Sequence, residues 1–292
     1  MLARAPRRPH ICTVAAAQFP ARGMLRQRQQ SCDRTRAVIA QWSVGKIIGR
    51  WAILASLVGL VLTGSRGLAQ AEFVISVFSG VTATEDNDLQ LRQTGGTDLR
   101  FHGVSYRTRD WELPIYYGGR LTYFLARRSH WGFGLEFFHA KMYLKTEETV
   151  RVTGTRAGAP VDGLERVDGT IDSFNISHGL NFLTANATYR WFLGERGRDF
   201  LGRLQPYVGG GIGAAIPHVE STVGGVHFEE YQFHGPAFQA FAGLNFDLIQ
   251  HWSLFGEYKF SYVDLDRLNI PGGSIGVAPM THHFATGIAF RF

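Results

Sequence analysis

Cysteine is almost missing: of 292 residues only Cys12 and Cys32 carry a thiol, and both precede residue 46. The remainder therefore has neither disulfide staples nor thiolate nucleophiles. Also missing is any run of eighteen apolar residues, so no helix of this chain could span a hydrocarbon core of about 30 Å. H-E-x-x-H is absent, which removes the common zinc-peptidase signature. The basic excess, +6 overall, is local. Eleven of the 30 Lys and Arg, but one of the 24 Asp and Glu, lie before Glu72, leaving 19 basic and 23 acidic residues after it. A body with more acid than base has no electrostatic footprint for nucleic acid, which drops out as a partner.

Lys46 and Arg50 precede the apolar run 51–62, followed by Thr63, Gly64 and the small-residue site Ala69-Gln70-Ala71. That order marks 46–71 as a secretory signal peptide with cleavage expected before Glu72, and the apolar run is too short for a transmembrane helix. Residues 1–45 are Arg-rich and without apolar periodicity. They are expected to be disordered or to result from a start assigned too early, with the true start at Met24 or nearer Val44. One domain, 72–292, remains, and a chain with 35 Gly and 13% aromatics favours strands.

The segment 279–292 alternates strictly. Met280, His282, Phe284, Thr286, Ile288, Phe290 and Phe292 share one face, while Thr281, His283, Ala285, Gly287, Ala289 and Arg291 share the other. Seven further segments alternate over the length a membrane strand needs: 72–82, 112–126, 131–143, 180–192, 205–221, 231–248 and 253–265. Their connections are long after the first, third, fifth and seventh segments and mostly short otherwise. The reading is all-β: an eight-stranded antiparallel transmembrane β-barrel with short periplasmic turns and long extracellular loops, integral to the bacterial outer membrane. It is expected to be monomeric, with outer-membrane lipid as its surroundings and the barrel-assembly machinery engaging the terminal Phe292. Segments 90–92 and 99–102 alternate as well and are expected to extend the first hairpin above the membrane. A soluble sandwich or lipocalin-like barrel would share the period of two. Against it stand Tyr117, Tyr123, Trp131, Tyr189, Trp191, Tyr207, Trp252 and Tyr262 near strand ends, where membrane interfaces collect aromatics.

The opposite face of these strands carries Arg120, Glu136, Asn186, Arg190, Gln239, Asn245, Asp247, Glu257, Lys259, His283 and Arg291. Charges of both signs in a barrel this narrow are expected to pair into a plug, not to line a pore. Gly209, Gly211 and Gly213 lie on this face and leave room for bulkier neighbours such as Arg190. A phosphate loop must join a strand to a helix, which the glycine run inside a strand does not do.

Two constellations could carry chemistry. Toward the extracellular strand ends lie His139, Lys141, His178, His218, Glu220, His234, Asp264 and Asp266, a donor set suited to a divalent metal or to acid–base work near pH 7. Strict alternation places His139 and Lys141 on the lipid side, so a bulge is needed to turn them inward. The plainer reading is a solvated rim against lipopolysaccharide phosphates and their bridging cations. The second constellation is Ser261 and His283, lumen-facing on adjacent strands and nearly opposite if the hairpin centres on Gly272. That pair would suit acyl-ester hydrolysis, or else a buried polar network.

Several phrases occur in a telling order. They are Glu112-Leu113-Pro114-Ile115-Tyr116-Tyr117-Gly118, the stretch from Trp131 to Lys141, and His178-Gly179-Leu180-Asn181-Phe182-Leu183-Thr184. After them come Pro206-Tyr207-Val208-Gly209-Gly210-Gly211, Pro217-His218-Val219-Glu220, Gly235-Pro236-Ala237 and Phe255-Gly256-Glu257-Tyr258-Lys259-Phe260. Together they resemble the outer-membrane lipid A oxidase family of rhizobia and related bacteria, over most of 72–292. The resemblance implies conversion of the proximal glucosamine of lipid A to 2-aminogluconate, with O₂ as co-substrate. It transfers no catalytic residues. His139, Lys141, His218, Glu220 and His234 are the candidates chemistry suggests, at an upper rim where lipid A lies laterally. A non-catalytic barrel serving envelope integrity or surface interaction competes with this reading, and a narrow channel is the third class.

Overall fold

The computed structural model describes residues 71–126, 128–195 and 200–292; the expected extension 1–45 and all but the last residue of the expected signal peptide lie outside them. Sixteen strands follow in chain order: β1 (Glu72–Thr84), β2 (Asn87–Gln93), β3 (Thr97–Val104), β4 (Tyr106–Arg107), β5 (Tyr117–Phe124), β6 (Trp131–Leu144), β7 (Thr149–Arg156) and β8 (Ala159–Arg166), then β9 (Ile171–Arg190), β10 (Leu204–Val223), β11 (Val226–Tyr231), β12 (His234–Asp247), β13 (Trp252–Val263), β14 (Leu265–Ile270), β15 (Gly273–Val277) and β16 (Met280–Arg291). Eight of them close on themselves. The ladder runs β1, β5, β6, β9, β10, β12, β13, β16 and back to β1, every pairing antiparallel.

Alternation explains the closure. Trp131, Phe133, Leu135 and Phe137 on β6 are exposed, as are Val77, Leu183, Ile212, Phe238, Leu254, Phe284 and Ile288 around the circumference. Water would not tolerate so continuous an apolar belt, and hydrocarbon requires every backbone group within it to be paired. A closed ladder meets that demand without an edge. The chain is thus built as an integral outer-membrane β-barrel.

Inside, the charges pair as the alternation predicts. Arg120 grips Glu257 through both terminal nitrogens at 2.7 and 2.8 Å and reaches Glu136 through Nε at 2.5 Å. Lys259 pairs with Glu136, Tyr207 donates to Glu257 at 3.0 Å, and Asn186 donates to Glu136 at 3.3 Å. A second knot joins Arg190 and Arg291 to Glu72, each at 2.7 Å, and Arg291 to Asp247 at 3.1 Å. Each knot balances two acids against two bases. Between them lies a cavity of about 60 Å³, lined by Arg120, Tyr207, Arg190 and Arg291 among others. That is room for a few waters, not for a hydrated ion to pass two charge knots. In planar bilayers the barrel should give no stable conductance; a steady ohmic current would contradict the plug.

The long loops are not loose. β14, β15, β2, β3, β7 and β8 form a separate six-stranded sheet above the barrel, assembled from three different connections. One face is fully buried: Leu89, Leu91, Leu99, Phe101, Val152, Leu268 and Ile275 join Ile171, Phe174 and Ile176 of the upper part of β9 in one apolar core. The carboxylate of Asp110 pins the approach to the mouth, accepting from the Thr82 N–H at 2.9 Å and from the hydroxyls of Thr82 and Thr108. The expected hairpin at 90–92 and 99–102 is the centre of this sheet.

Some expectations need correcting. The second barrel strand begins at Tyr117, not at residue 112, and Leu113 is 89% exposed in the preceding turn beside Pro114, which has no N–H for a ladder. β9 begins at Ile171, nine residues before the expected start, because its upper half pairs with β10 and packs under the cap. Tyr207 points into the lumen, not to the interface. The space left by Gly209 and Gly211 is filled by Phe241 and Asn186 rather than by Arg190.

Candidate functional site

At the upper end of the belt the ladder breaks in a specific way. Ala140 pairs with Leu180 and Met142 with Ile176, so Lys141 alone stands opposite Ser177, His178 and Gly179. On the other side of β9, Pro217 pairs with Leu180 and Glu220 with Asn175. β9 therefore carries a two-residue bulge that ejects His178 from the ladder. Gly179 makes it feasible, with φ +116 and no room for a Cβ between His139 and Asn181.

The expected role of a bulge was to turn His139 inward. The structure places it otherwise: the bulge lies on β9, and His139 keeps the outward face of Phe137, paired with Tyr117 and Asn181. It is nonetheless buried, stacked on the Tyr117 ring at 5.1 Å. Its Nδ1 lies 2.9 Å from Asn181 Oδ1. Since the Asn181 amide donates to the Ile216 and Gly179 carbonyls, that oxygen accepts, and the His139 proton sits on Nδ1. The Nε2 lone pair is buried and has no partner.

A second group adjoins it. His218 is buried, with Nε2 3.2 Å from Glu229 Oε1 of β11, its ring 4.9 Å from that of His178 and 4.3 Å from that of Tyr231. Glu220, expected to work with His218, instead accepts from Ser177 Oγ at 2.7 Å. The Ser177 oxygen then accepts from His178 Nδ1 at 3.0 Å, which leaves His178 Nε2 as a free lone pair. Pro114, Tyr117, Phe137, His139, His178, Asn181, Ile216 and Tyr231 line one open groove here.

Of the expected rim residues, His139 and His218 reach this groove or its edge, and Glu220 supports it through Ser177. Lys141 is buried beside it but donates to the Glu112 carbonyl at 2.7 Å, and His234 pairs with Ala215 at the start of β12, outside the lining. Glu229, Ser177 and Asn181 were not legible as site residues, because only the bulge and the β10–β11 hairpin bring them to the histidines.

Ser261 and His283 do meet, at 2.8 Å, although the register puts Thr281 opposite Ser261 and His283 opposite Lys259. Both are sealed beneath the cap, with the His283 ring against Tyr116 and Phe138 and its Nδ1 unpartnered. An ester has no approach to that hydroxyl, and no third group orients the imidazole, so the pair reads as buried polar packing. Gly272-Gly273-Ser274-Ile275-Gly276 spells G-x-S-x-G but sits at the β14–β15 turn without a following helix, so it builds no nucleophile elbow.

Height along the barrel can be set from the strand itself. Eight residues from Trp131 to His139 rise about 27 Å along β6, or about 20 Å along the normal at the usual tilt, near the top of an apolar band about 25 Å tall. The groove therefore opens sideways, level with outer-leaflet head groups.

No family model and no curated protein matches this chain. Solved structures that align with it include neisserial surface protein A (13% identity, 76% of this chain and 99% of that one, TM-score 0.36). OprG from Pseudomonas aeruginosa aligns at 16% identity over 77% and 96% with TM-score 0.37, and outer membrane protein W from E. coli at 16% over 76% and 98% with TM-score 0.28. OprG and protein W are described as outer-membrane proteins; the barrel assigned to this chain stands on its own closed ladder and apolar belt.

Proposed function

We propose that this chain is an outer-membrane enzyme that reaches the head group of lipid A from the side, with the rim groove as its site and O₂-dependent oxidation as its reaction. One observation carries the reading: the groove lined by His139 and His178 opens outward at head-group height, where a lipid reaches it without leaving the leaflet. The resemblance noted above supplies the reaction. At the 1-dephosphorylated glucosamine, the C1–H and its hydroxyl proton are removed as two electrons pass to O₂, giving a lactone and H₂O₂. Water then opens the lactone to 2-aminogluconate. The role we assign to His139 is to accept the hydroxyl proton at Nε2, with Asn181 holding the tautomer; that nitrogen is buried in the groove wall, so the entering head group must displace a covering side chain to reach it.

A non-catalytic barrel is the competing reading, favoured by the folded six-stranded cap, which a lipid enzyme does not need. Lipid A mass spectrometry separates the two. Cells expressing the chain, with 1-dephosphorylated lipid A present, should show a gain of one oxygen that disappears with His139→Ala. An unchanged spectrum from well-folded wild-type barrel would favour the non-catalytic reading.

A further inference from the structure

We infer that His178, His218 and Glu229 form a binding site for a divalent first-row transition-metal ion. One ligand atom from each lies within 4.8 Å of the others. The 3.2 Å separation of His218 Nε2 from Glu229 Oε1 is that of two ligands sharing a metal, since bonds of about 2.1 Å at tetrahedral or octahedral angles set neighbouring donors about 3.0–3.4 Å apart.

An ion pair between His218 and Glu229 would explain that distance alone, but it would not explain His178. This residue is lifted from the ladder by a two-residue bulge, and its Nδ1 proton is held by Ser177, whose own hydroxyl is held by Glu220. A carboxylate–hydroxyl–imidazole relay of this kind fixes a ligand's tautomer and aims its other nitrogen, as outer partners do for metal-bound histidine. Beside it, His139, whose buried Nε2 has no partner, lines the same groove.

Two imidazoles and one carboxylate leave coordination positions open, and His178 brings the site to the groove wall. As the metal of a lipid-modifying site the ion rests on the function proposed above. Binding itself, however, is measured without lipid.

The test uses the full-length protein purified as folded barrel from outer membranes in detergent, stripped with EDTA and titrated with Co²⁺. Saturation at one equivalent, with visible absorption from mixed nitrogen and oxygen ligation and displacement by Zn²⁺, is the expected result. His218→Ala and Glu229→Gln should abolish that absorption, and Ser177→Ala should weaken binding about tenfold or more. His251→Ala, at the far end of the barrel, should leave it unchanged. Heat-modifiable migration verifies that each variant is folded. No saturable uptake by folded wild-type protein, or equal uptake by wild type, His178→Ala, His218→Ala and Glu229→Gln, would overturn the site. Metal bound without lipid A oxidation would keep the site and remove the lipid reading; oxidation by metal-free protein would do the reverse.

Discussion

Arg120→Met should be the most destabilising single substitution in the barrel wall, at about 3–5 kcal/mol, the usual consequence of removing one member of a buried ionic network. Arg120 hydrogen-bonds both Glu136 and Glu257, and the guanidinium also lies over the Phe241 ring at 4.2 Å. Without it, two buried carboxylates face the single cation Lys259. Urea unfolding in phospholipid vesicles, followed by heat-modifiable migration, measures the loss. The charge argument also predicts a rescue. Arg120→Met combined with Glu257→Gln restores one acid against one base, and Tyr207 can still donate to the introduced amide oxygen. More than half of the lost stability should return. If the double variant is no more stable than the single one, packing against Phe241 matters more than charge balance.

How much of this was legible beforehand depended on sequence distance. Trp131, Phe133, Leu135 and Phe137 each sit two residues from the next, so the outward belt could be read directly, and with it the lumen position of Glu136. Arg120 and Glu136 then follow as cross-strand neighbours from the hairpin order. Glu257 and Lys259, on the lumen face of β13, reach them across the narrow interior, so that only a pairing of lumen charges in general could be expected. The cap could be read only at β2–β3, where Leu89, Leu91, Leu99 and Phe101 alternate across a short turn. β7–β8 and β14–β15 pair with that hairpin across 50 to more than 170 residues, and no local period announces such a partnership. The site was hidden for the same reason. Glu220 is two residues from His218 and looked like its partner, yet successive same-face residues on a strand diverge toward different neighbours. Glu229 meets His218 only because β11 folds back in register, with Tyr231 opposite His218. His178 lay beside a glycine, but nothing in the pattern said that the glycine would absorb a bulge.

Gly179→Ala should leave a folded barrel and lose the site. At φ +116 an L side chain is strained by about 1–3 kcal/mol, which a barrel of this closure can bear. The larger effect is local. The added Cβ would lie 2.6 Å from Asn181 Oδ1 and closer still to His139 Nδ1, in the gap those two groups bridge. One of them must leave, and with it goes the hydrogen bond that sets the His139 tautomer, next to the residue that the bulge ejects toward His218. Lipid A oxidation should fall to background and Co²⁺ binding should weaken, while heat-modifiable migration persists. Gly158→Ala supplies the comparison, because Gly158 has φ +82 but open space where a Cβ would be. It carries backbone strain of a similar kind without a collision, at a turn of the cap, and should keep both activities. A Gly179→Ala protein that oxidises lipid A and binds Co²⁺ like wild type would show that neither the His139–Asn181 contact nor the bulge geometry is needed, and both site assignments would fall together.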